Sequence, residues 1–168
     1  MQLPSLLLES LKGSNGFNKE TFEKVHASAE QITSIRTNPH KPIGGIPNSR
    51  SPIPWCSAGY YLNERPSFTF DPSFHAGCYY VQEASSMFLE QALKQTVDLT
   101  KPLKVLDLCA APGGKSTHIH SLISGDSLLV SNEVIRSRAN ILRDNIIKWG
   151  CNNVMVTNND PKDFARLE

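Results

Sequence analysis

Residues 103–117 read LKVLDLCAAPGGKST, and most of the architecture can be argued outward from this segment. Its first six residues, LKVLDL, predict a largely buried β-strand, and a turn of small residues follows at once. Gly113 and Gly114 then form a turn, and a helix carrying Ile119, Leu122 and Ile123 is predicted after them. Glycine lets a backbone approach a ligand closely, and the start of a helix offers free N–H groups and a positive dipole end. The segment therefore predicts a site for a nucleotide-like or carboxylate-bearing ligand.

Two known phosphate-binding turns match this segment only in part. The P-loop pattern G-x-x-x-x-G-K-[ST] is met at its end by Gly114, Lys115 and Ser116, but its first glycine would fall at position 109, which is cysteine. The dinucleotide pattern G-x-G-x-x-G fails as well, because the turn holds only two adjacent glycines. The spacing therefore supports neither triphosphate nor dinucleotide binding.

A second strand and a helix are predicted directly after the glycine turn. The strand SLLVSN (127–132) ends at Glu133, which lies 19 residues after Gly114. In doubly wound folds an acidic residue at that place binds the hydroxyls of a ribose. A helix is predicted over 136–149 with a single apolar face, and Gly150 is suited to end it.

A third strand, NVMVTN (153–158), places Asp160 just beyond its end. Parallel sheets bind ligands at the carboxyl ends of their strands, so the glycine turn, Glu133 and Asp160 are expected to face one crevice. Asp160 would suit the exocyclic amine of adenine, but an aspartate before Pro161 is also an ordinary turn residue. Both interpretations of Asp160 remain open at this point.

Proline separates this region from the N-terminal part. Seven of the eleven prolines fall within 39–72, where few helices are expected. Before them, a helix is predicted over 19–31 with Asn18 as its N-cap, and Phe17 is expected to pack against Phe22. A further apolar stripe predicts a helix that starts near 82–85 and runs to about residue 95.

The segment 31–63 contains no aspartate or glutamate and combines cations with aromatic side chains. Cations neutralise phosphates, and aromatic rings stack on unpaired bases, so this composition suits RNA. A proline-stiffened loop whose charges merely keep it soluble is the alternative. The residues concerned are Arg36, Lys41, Arg50, Trp55, Tyr60 and Tyr61.

The composition excludes several classes of protein. The chain has 168 residues, a formal charge of +1, 39% hydrophobic and 20% charged residues, which is typical of a globular protein. No apolar run approaches the roughly 18–20 residues that span a bilayer, and we expect no signal peptide or membrane contact. The four widely spaced cysteines indicate neither a zinc site nor a disulfide framework. We expect a cytoplasmic protein with reduced thiols and no metal.

VLDLCAAPGGKST closely resembles the first methyltransferase motif of the Sun-domain RNA cytosine-5 methyltransferases. SNEVIRSRANILRDNIIKWGCNNV resembles their second motif, GCYYVQEASSM the segment before their catalytic domain, and PIPWC the subgroup represented by the bacterial small-subunit ribosomal RNA methyltransferase F. The resemblance implies S-adenosylmethionine as cofactor, Glu133 on its ribose and Asp160 beside its adenine. The residues it places at the methionine and sulfonium end are Cys109, Ala110, Ala111, Pro112, Gly113, Gly114 and Lys115.

The resemblance also implies a partner and a fold. SIRTN (34–38) resembles the small RNA-facing module of the family, so we predict that Arg36, Asn38 and Trp55 contact RNA, with small-subunit ribosomal RNA as the partner. We predict an α/β fold in which an N-terminal α+β module (1–78) precedes the first half of a Rossmann-like class I S-adenosylmethionine-dependent methyltransferase sheet (79–168).

The cysteines that perform the family's chemistry have no counterpart here. They lie in D-A-P-C-S-G and T-C-[ST] contexts, and neither occurs in this sequence. We therefore assign no catalytic residue and expect an N-terminal fragment that is inactive by itself. Its first sheet strand would lie at an edge and could promote self-association. A non-catalytic RNA- or cofactor-binding module, or an unrelated methyltransferase of small molecules, are the alternatives.

Overall fold

The computed structural model describes residues 3–28, 32–43 and 48–166. It divides into two compact units, Met1–Gln31 and Ile32–Glu168. The first contains two helices, and the second contains two β-sheets with the remaining helices. We describe each unit by itself.

The N-terminal unit consists of α1 (Ser5–Leu11) and α2 (Lys19–Ala27). Asn18 caps α2 as predicted, because its Oδ1 accepts a hydrogen bond of 2.9 Å from the backbone N–H of Thr21. The rings of Phe17 and Phe22 lie 5.4 Å apart, which confirms the predicted contact. The helix ends earlier than expected, since Ser28 is already extended, and the predicted residues 29–31 lie outside the described residues. No residue of α1 or α2 is buried.

The second unit begins with an antiparallel sheet in the order β2-β3-β1-β4. Its central strand β1 pairs with β3 on one side and with β4 on the other. The described residues of the proline-rich region supply β2, β3, a 3₁₀ helix (Phe68–Phe70) and the start of the short helix α3 (Pro72–His75), which Asp71 caps. The strands are β1 (Thr33–Thr37), β2 (Ser49–Pro52), β3 (Gly59–Leu62) and β4 (Tyr79–Val81).

β4 shows where the expected domain boundary differs from the structure. We placed that boundary between residues 78 and 79, but Tyr79–Val81 is hydrogen-bonded to β1. The antiparallel sheet therefore continues past residue 78, and 32–168 form one compact unit. The stripe predicted after β4 forms a 3₁₀ turn (Ser85–Phe88) and then α4 (Leu89–Thr96).

The first strand of the parallel sheet, Lys104–Asp107, has no buried residue, so the predicted burial of that strand is wrong, but the sheet otherwise matches the sequence prediction. Its order is β5-β6-β7, and each neighbouring pair is parallel, which gives the mixed α/β fold a Rossmann-like segment. α6 has the predicted bounds and buries the predicted apolar face, and Gly150 ends it at φ +89°. The elements are β5 (Lys104–Asp107), α5 (Gly114–Leu122), β6 (Leu128–Asn132), α6 (Arg136–Trp149) and β7 (Val154–Thr157).

β5 lies at an edge of this sheet, as the sequence predicted. Leu106 on β5 is 43% exposed, and Leu108 just after it is 39% exposed. An apolar strand of a parallel sheet is usually covered on both faces, so this exposure marks an uncovered surface. Within the described ranges no helix combines the length and hydropathy needed to cross a membrane.

Candidate functional site

Hydrogen bonds below the glycine turn hold the start of α5 against two strands. Ser116 Oγ donates to Asp107 Oδ2 at 2.7 Å, and Ser131 Oγ donates to Ser116 Oγ at 3.0 Å. Both serines are fully buried. Because Asp107 ends β5 and Ser131 belongs to β6, this chain of hydrogen bonds fixes the turn relative to the sheet.

The backbone conformation at Gly113 and the space around it both require glycine. Its φ is +113°, which side-chain-bearing residues rarely adopt, and a Cβ at this position would lie 3.3 Å from Leu142 Cδ1. Leu142 is fully buried under the turn together with Ala110 and Ala111. The turn therefore packs directly on α6.

A cavity of about 440 Å³ opens at this turn. That volume lies within the range of roughly 300–1,000 Å³ that is usual for small-molecule sites. One wall is the turn, and the other is the segment from β4 into the 3₁₀ turn. The lining residues are Cys109, Ala110, Ala111, Pro112, Gly114 and Lys115 on one side, and Tyr80, Val81, Gln82, Glu83 and Ser86 on the other.

The carboxyl ends of the three parallel strands are joined by Asn132. Its Nδ2 donates to the carbonyl of Leu108 at 3.3 Å and to that of Asn159 at 3.0 Å, and its Oδ1 accepts from Thr157 Oγ1 at 2.9 Å. The sequence analysis missed this residue. The available signal was a lone amide side chain at the end of an otherwise apolar strand.

Glu133 and Asp160 lie at the same sheet edge but do not line the cavity at the turn. Glu133 is 2% exposed, and its carboxylate accepts from the backbone N–H of Ile135 at 3.0 Å and lies 3.4 Å from Arg138 Nη1. Asp160 is exposed, and the backbone N–H of Lys162 lowers the pKa of its carboxyl group. Their expected contacts with ribose and adenine stay predictions.

Arg36 does not offer its guanidinium to RNA, which corrects the sequence prediction. The residue is fully buried on the central strand β1. Its Nε donates to Gln82 Oε1 at 2.9 Å, and its Nη2 donates to Thr117 Oγ1 at 2.6 Å. Burial lowers the Arg36 pKa to about 10, so the group stays charged at neutral pH. Its role is to hold β4 and α5 together.

Asn38 is also buried and unavailable to RNA. Its Nδ2 donates to the carbonyls of Gly77 and Trp149 at 2.9 and 2.8 Å. Lys41 Nζ is occupied in the same way by the carbonyls of Ala76 and Lys148. Arg36 and Lys41 of this segment therefore serve internal contacts.

Trp55 is the one residue of the three predicted RNA contacts that keeps an accessible surface. It is half-buried, and its Nε1 donates to the carbonyl of Ala84 at 2.7 Å. Its ring lies 6.3 Å from that of Phe88, which is 57% exposed. Trp55 remains a predicted RNA contact.

A buried polar cluster lies behind α5 and consists of Cys56, Glu90 and His118. His118 Nε2 lies 3.8 Å from Cys56 Sγ and 3.1 Å from Glu90 Oε2. These three side chains could geometrically surround a metal ion. The carboxylate is already satisfied, however, by Lys94 Nζ at 2.6 Å and the backbone N–H of Ser57 at 3.2 Å. We therefore interpret the cluster as a structural hydrogen-bond network.

The pKa values in this cluster follow from burial and from these contacts. Burial alone would raise the Glu90 pKa, but the hydrogen bonds from Lys94, His118 and Ser57 outweigh it and lower the pKa to about 2. Burial, assisted by the charge of Arg36, lowers the His118 pKa to about 4. At neutral pH the network thus holds a charged Glu90 and a neutral His118.

This network predicts that the protein loses stability below pH 6.5. Because the folded-state pKa of His118 lies below its ordinary value of 6.5, its contribution is complete above that value and is lost as the pH falls toward 4. The loss should reach about 3 kcal/mol. Glu90 adds a further loss between pH 4.5 and about 2.

Urea unfolding at pH 7.5, 6 and 5 measures the loss of stability that is due mainly to His118. It should shrink in His118→Gln, leaving the part due to His120, whose pKa burial also lowers, and it should persist in full in His26→Gln. An unchanged loss in His118→Gln would contradict this assignment.

Cys56 and Cys151 are unsuited to nucleophilic attack. Burial raises the pKa of the Cys56 thiol to about 11 and that of Cys151 to about 12. Such thiols keep their protons at neutral pH and are poor nucleophiles. Cys109 is exposed within the turn, and all four thiols are unpaired.

Two family models cover nearly the whole chain. One, described as the N-terminal domain of 16S rRNA methyltransferase RsmF, matches residues 3–84. The other, described as 16S rRNA methyltransferase RsmB/F, matches residues 94–167. The first includes the antiparallel sheet, and the second includes the parallel strands and the turn.

Curated relatives bear matching names. Ribosomal RNA small subunit methyltransferase F of Shewanella denitrificans is 35% identical over 128 residues, which cover 71% of this chain and 25% of the relative. The protein of the same name from Serratia proteamaculans is 37% identical over 117 residues, covering 68% of this chain and 24% of the relative. The chain thus spans about a quarter of the length of these relatives.

Solved structures agree in fold. A methyltransferase homolog protein from Pyrococcus horikoshii has a TM-score of 0.69 at 26% identity, covering 99% of this chain and 60% of that one. NSun6 from Pyrococcus horikoshii, solved with SFG, has a TM-score of 0.53 at 27% identity, covering 61% and 26%. With both family models and the turn geometry in agreement, the chain belongs to the RsmB/F family of 16S rRNA methyltransferases.

Proposed function

We propose that this chain supplies the N-terminal module and the cofactor half of an S-adenosylmethionine-dependent methyltransferase of cytosine C5 in ribosomal RNA. The observation that carries the proposal is the cavity between the glycine turn and residues 80–86. It lies at the carboxyl end of a parallel strand and at the start of a nine-residue helix, which is where doubly wound folds bind nucleotide-like ligands.

The residues of this chain fit that cofactor. Residues 109–115 would face the amino-acid end and the sulfonium, Glu133 the ribose and Asp160 the adenine. S-adenosylmethionine supplies the methyl group when it is bound. The turn contributes backbone groups and the helix dipole, and its hydrogen bonds to Asp107 and Ser131 keep it in place before a ligand arrives.

The chain by itself should not methylate RNA. The reaction needs a thiolate that attacks cytosine C6, and the buried thiols of Cys56 and Cys151 hold their protons. We therefore propose that its role is cofactor binding and, through Trp55, contact with small-subunit ribosomal RNA. We place the protein in the cytoplasm, where that RNA is found.

Cofactor titration by calorimetry tests this proposal. The protein should bind S-adenosylhomocysteine with one site, and Gly113→Val, which forces a branched side chain into φ +113°, should abolish that binding. Gly125→Val is the matched control, because a Cβ at Gly125 would meet no atom within 4 Å. Failure of the unmodified protein to bind the ligand would overturn the proposal. RNA affinity without any cofactor affinity would favour a non-catalytic RNA-binding module instead.

The uncovered strand β5 should cause self-association. Leu106 and Leu108 expose apolar surface at the sheet edge, and an unpaired strand offers N–H and C=O groups to a second copy. Leu106→Lys should shift the protein toward monomer in sedimentation velocity. Lys104→Arg on the same strand leaves Leu106 and Leu108 unchanged and serves as the control. Equal association of both variants would contradict the prediction.

A further inference from the structure

Gln82 is placed to recognise a ligand in the cavity at the glycine turn. It is 7% exposed, lines that cavity and packs on the first residue of α5, because a Cβ on Gly114 would lie 3.7 Å from Gln82 Cδ. From the sequence, Gln82 is known only as a residue of GCYYVQEASSM, the segment that resembles the one before the family's catalytic domain.

Arg36 fixes the orientation of the Gln82 side-chain amide. Arg36 Nε donates to Gln82 Oε1 at 2.9 Å, and this guanidinium can only donate. The oxygen must therefore face Arg36, which turns Nε2 toward Ser86 Oγ at 3.3 Å, and both Gln82 and Ser86 line the cavity. Nε2 carries two hydrogens, and this contact uses one, so one N–H remains for a ligand.

The surroundings select an anionic partner for that N–H. A buried guanidinium polarises the amide through its oxygen and strengthens the amide as a donor. The start of α5 adds the positive end of a helix dipole beside it. Glu83 lines the same cavity and could accept from an ammonium group. A donor for a carboxylate next to an acceptor for an ammonium matches the zwitterionic end of an amino acid.

We propose that Gln82 binds the carboxylate at the amino-acid end of the cofactor and that Arg36 is the positioning residue that orients it. The inference rests on the proposed cofactor function. Arg36 Nη2 also donates to Thr117 Oγ1 and to the carbonyl of Gly114, so one buried cation sets both walls of the subsite.

Two ligands separate this subsite from the rest of the cofactor site. S-adenosylhomocysteine has the amino-acid end, and 5′-methylthioadenosine lacks it but keeps the nucleoside. Gln82→Glu retains an oxygen for Arg36 and loses the N–H donor, so it should lower affinity for S-adenosylhomocysteine roughly 10- to 100-fold and leave 5′-methylthioadenosine unaffected. Its melting temperature should not fall, because the new carboxylate pairs with Arg36. Gln95→Glu is the matched control, since Gln95 is exposed and does not line the cavity.

The role of Arg36 is tested by the ratio of the two affinities. If Arg36 acts through Gln82, then Arg36→Met, Gln82→Ala and the double variant should each reduce the preference for S-adenosylhomocysteine by a similar factor. A merely structural Arg36 would weaken both ligands in parallel and leave the ratio unchanged. An unchanged ratio in Gln82→Glu overturns this inference alone. If neither ligand binds to the unmodified protein, the proposed function is overturned as well.

Discussion

Gly77→Ala is expected to destabilise the protein by about 3–5 kcal/mol, which is a large part of the stability of an ordinary domain. Gly77 has φ +74°, and a Cβ there would lie 2.1 Å from the carbonyl oxygen of Lys148. That atom belongs to the backbone of α6 and cannot move aside as a flexible side chain would. Relief requires separating the backbone at Gly77 from α6, which breaks the paired hydrogen bonds from Asn38 Nδ2 to the carbonyls of Gly77 and Trp149.

Two further glycines divide this effect into its causes. Gly150 has φ +89°, but the nearest atoms to an added Cβ are the flexible end of Lys41 at 3.3 Å, so Gly150→Ala should cost only the roughly 1–2 kcal/mol of the left-handed conformation. Gly125→Ala meets nothing within 4 Å and should be nearly neutral. Urea unfolding of the three variants should rank Gly77, Gly150 and Gly125 in decreasing order of loss. Equal losses at Gly77 and Gly150 would show that the backbone contact with Lys148 contributes nothing.

The parallel sheet could be predicted because its signals are local. The strands β5, β6 and β7 are short apolar runs that end in polar residues, and α6 carries its apolar face at regular spacing. The glycine turn is contiguous in the sequence as well. Such patterns survive folding because each element buries the face that its own period defines.

The roles of Arg36 and Asn38 could not be predicted, because their partners are distant in the sequence. Arg36 contacts Gln82 and Thr117, which lie 46 and 81 residues later, and Asn38 contacts Trp149, which lies 111 residues later. From the sequence alone, a cation in a segment without acidic residues suggests contact with a nucleic acid, because the sequence does not show which residues pack against it. Arg36 is buried only because Thr117 and Trp149, both distant in the sequence, lie against it in the folded chain.

Glu90 illustrates the same limit on α4. The apolar spacing predicts that Ala92 and Leu93 face the core, yet Ala92 is exposed and the single buried residue of this helix is Glu90. Its burial depends on Lys94, which the sequence places one turn away, and on His118 and Ser57, which only the tertiary fold brings near. Hydropathy alone assigns a glutamate to the surface.

Leu142→Ala is expected to cost about 2–5 kcal/mol of stability and to weaken cofactor binding at the same time. Leu142 is fully buried against Ala110 and Ala111, and its Cδ1 approaches the turn at Gly113. Truncation leaves a cavity under the turn, so the backbone groups that face the ligand lose their support.

Ile141→Ala on the same helix is the control, because Ile141 is 52% exposed and its truncation should cost little stability. Leu142→Met should restore most of the stability and the binding, since the side chains have similar volumes. Thermal unfolding with and without S-adenosylhomocysteine measures both effects. If Leu142→Ala were destabilised yet kept full affinity for the ligand, the turn would not depend on α6 for its shape.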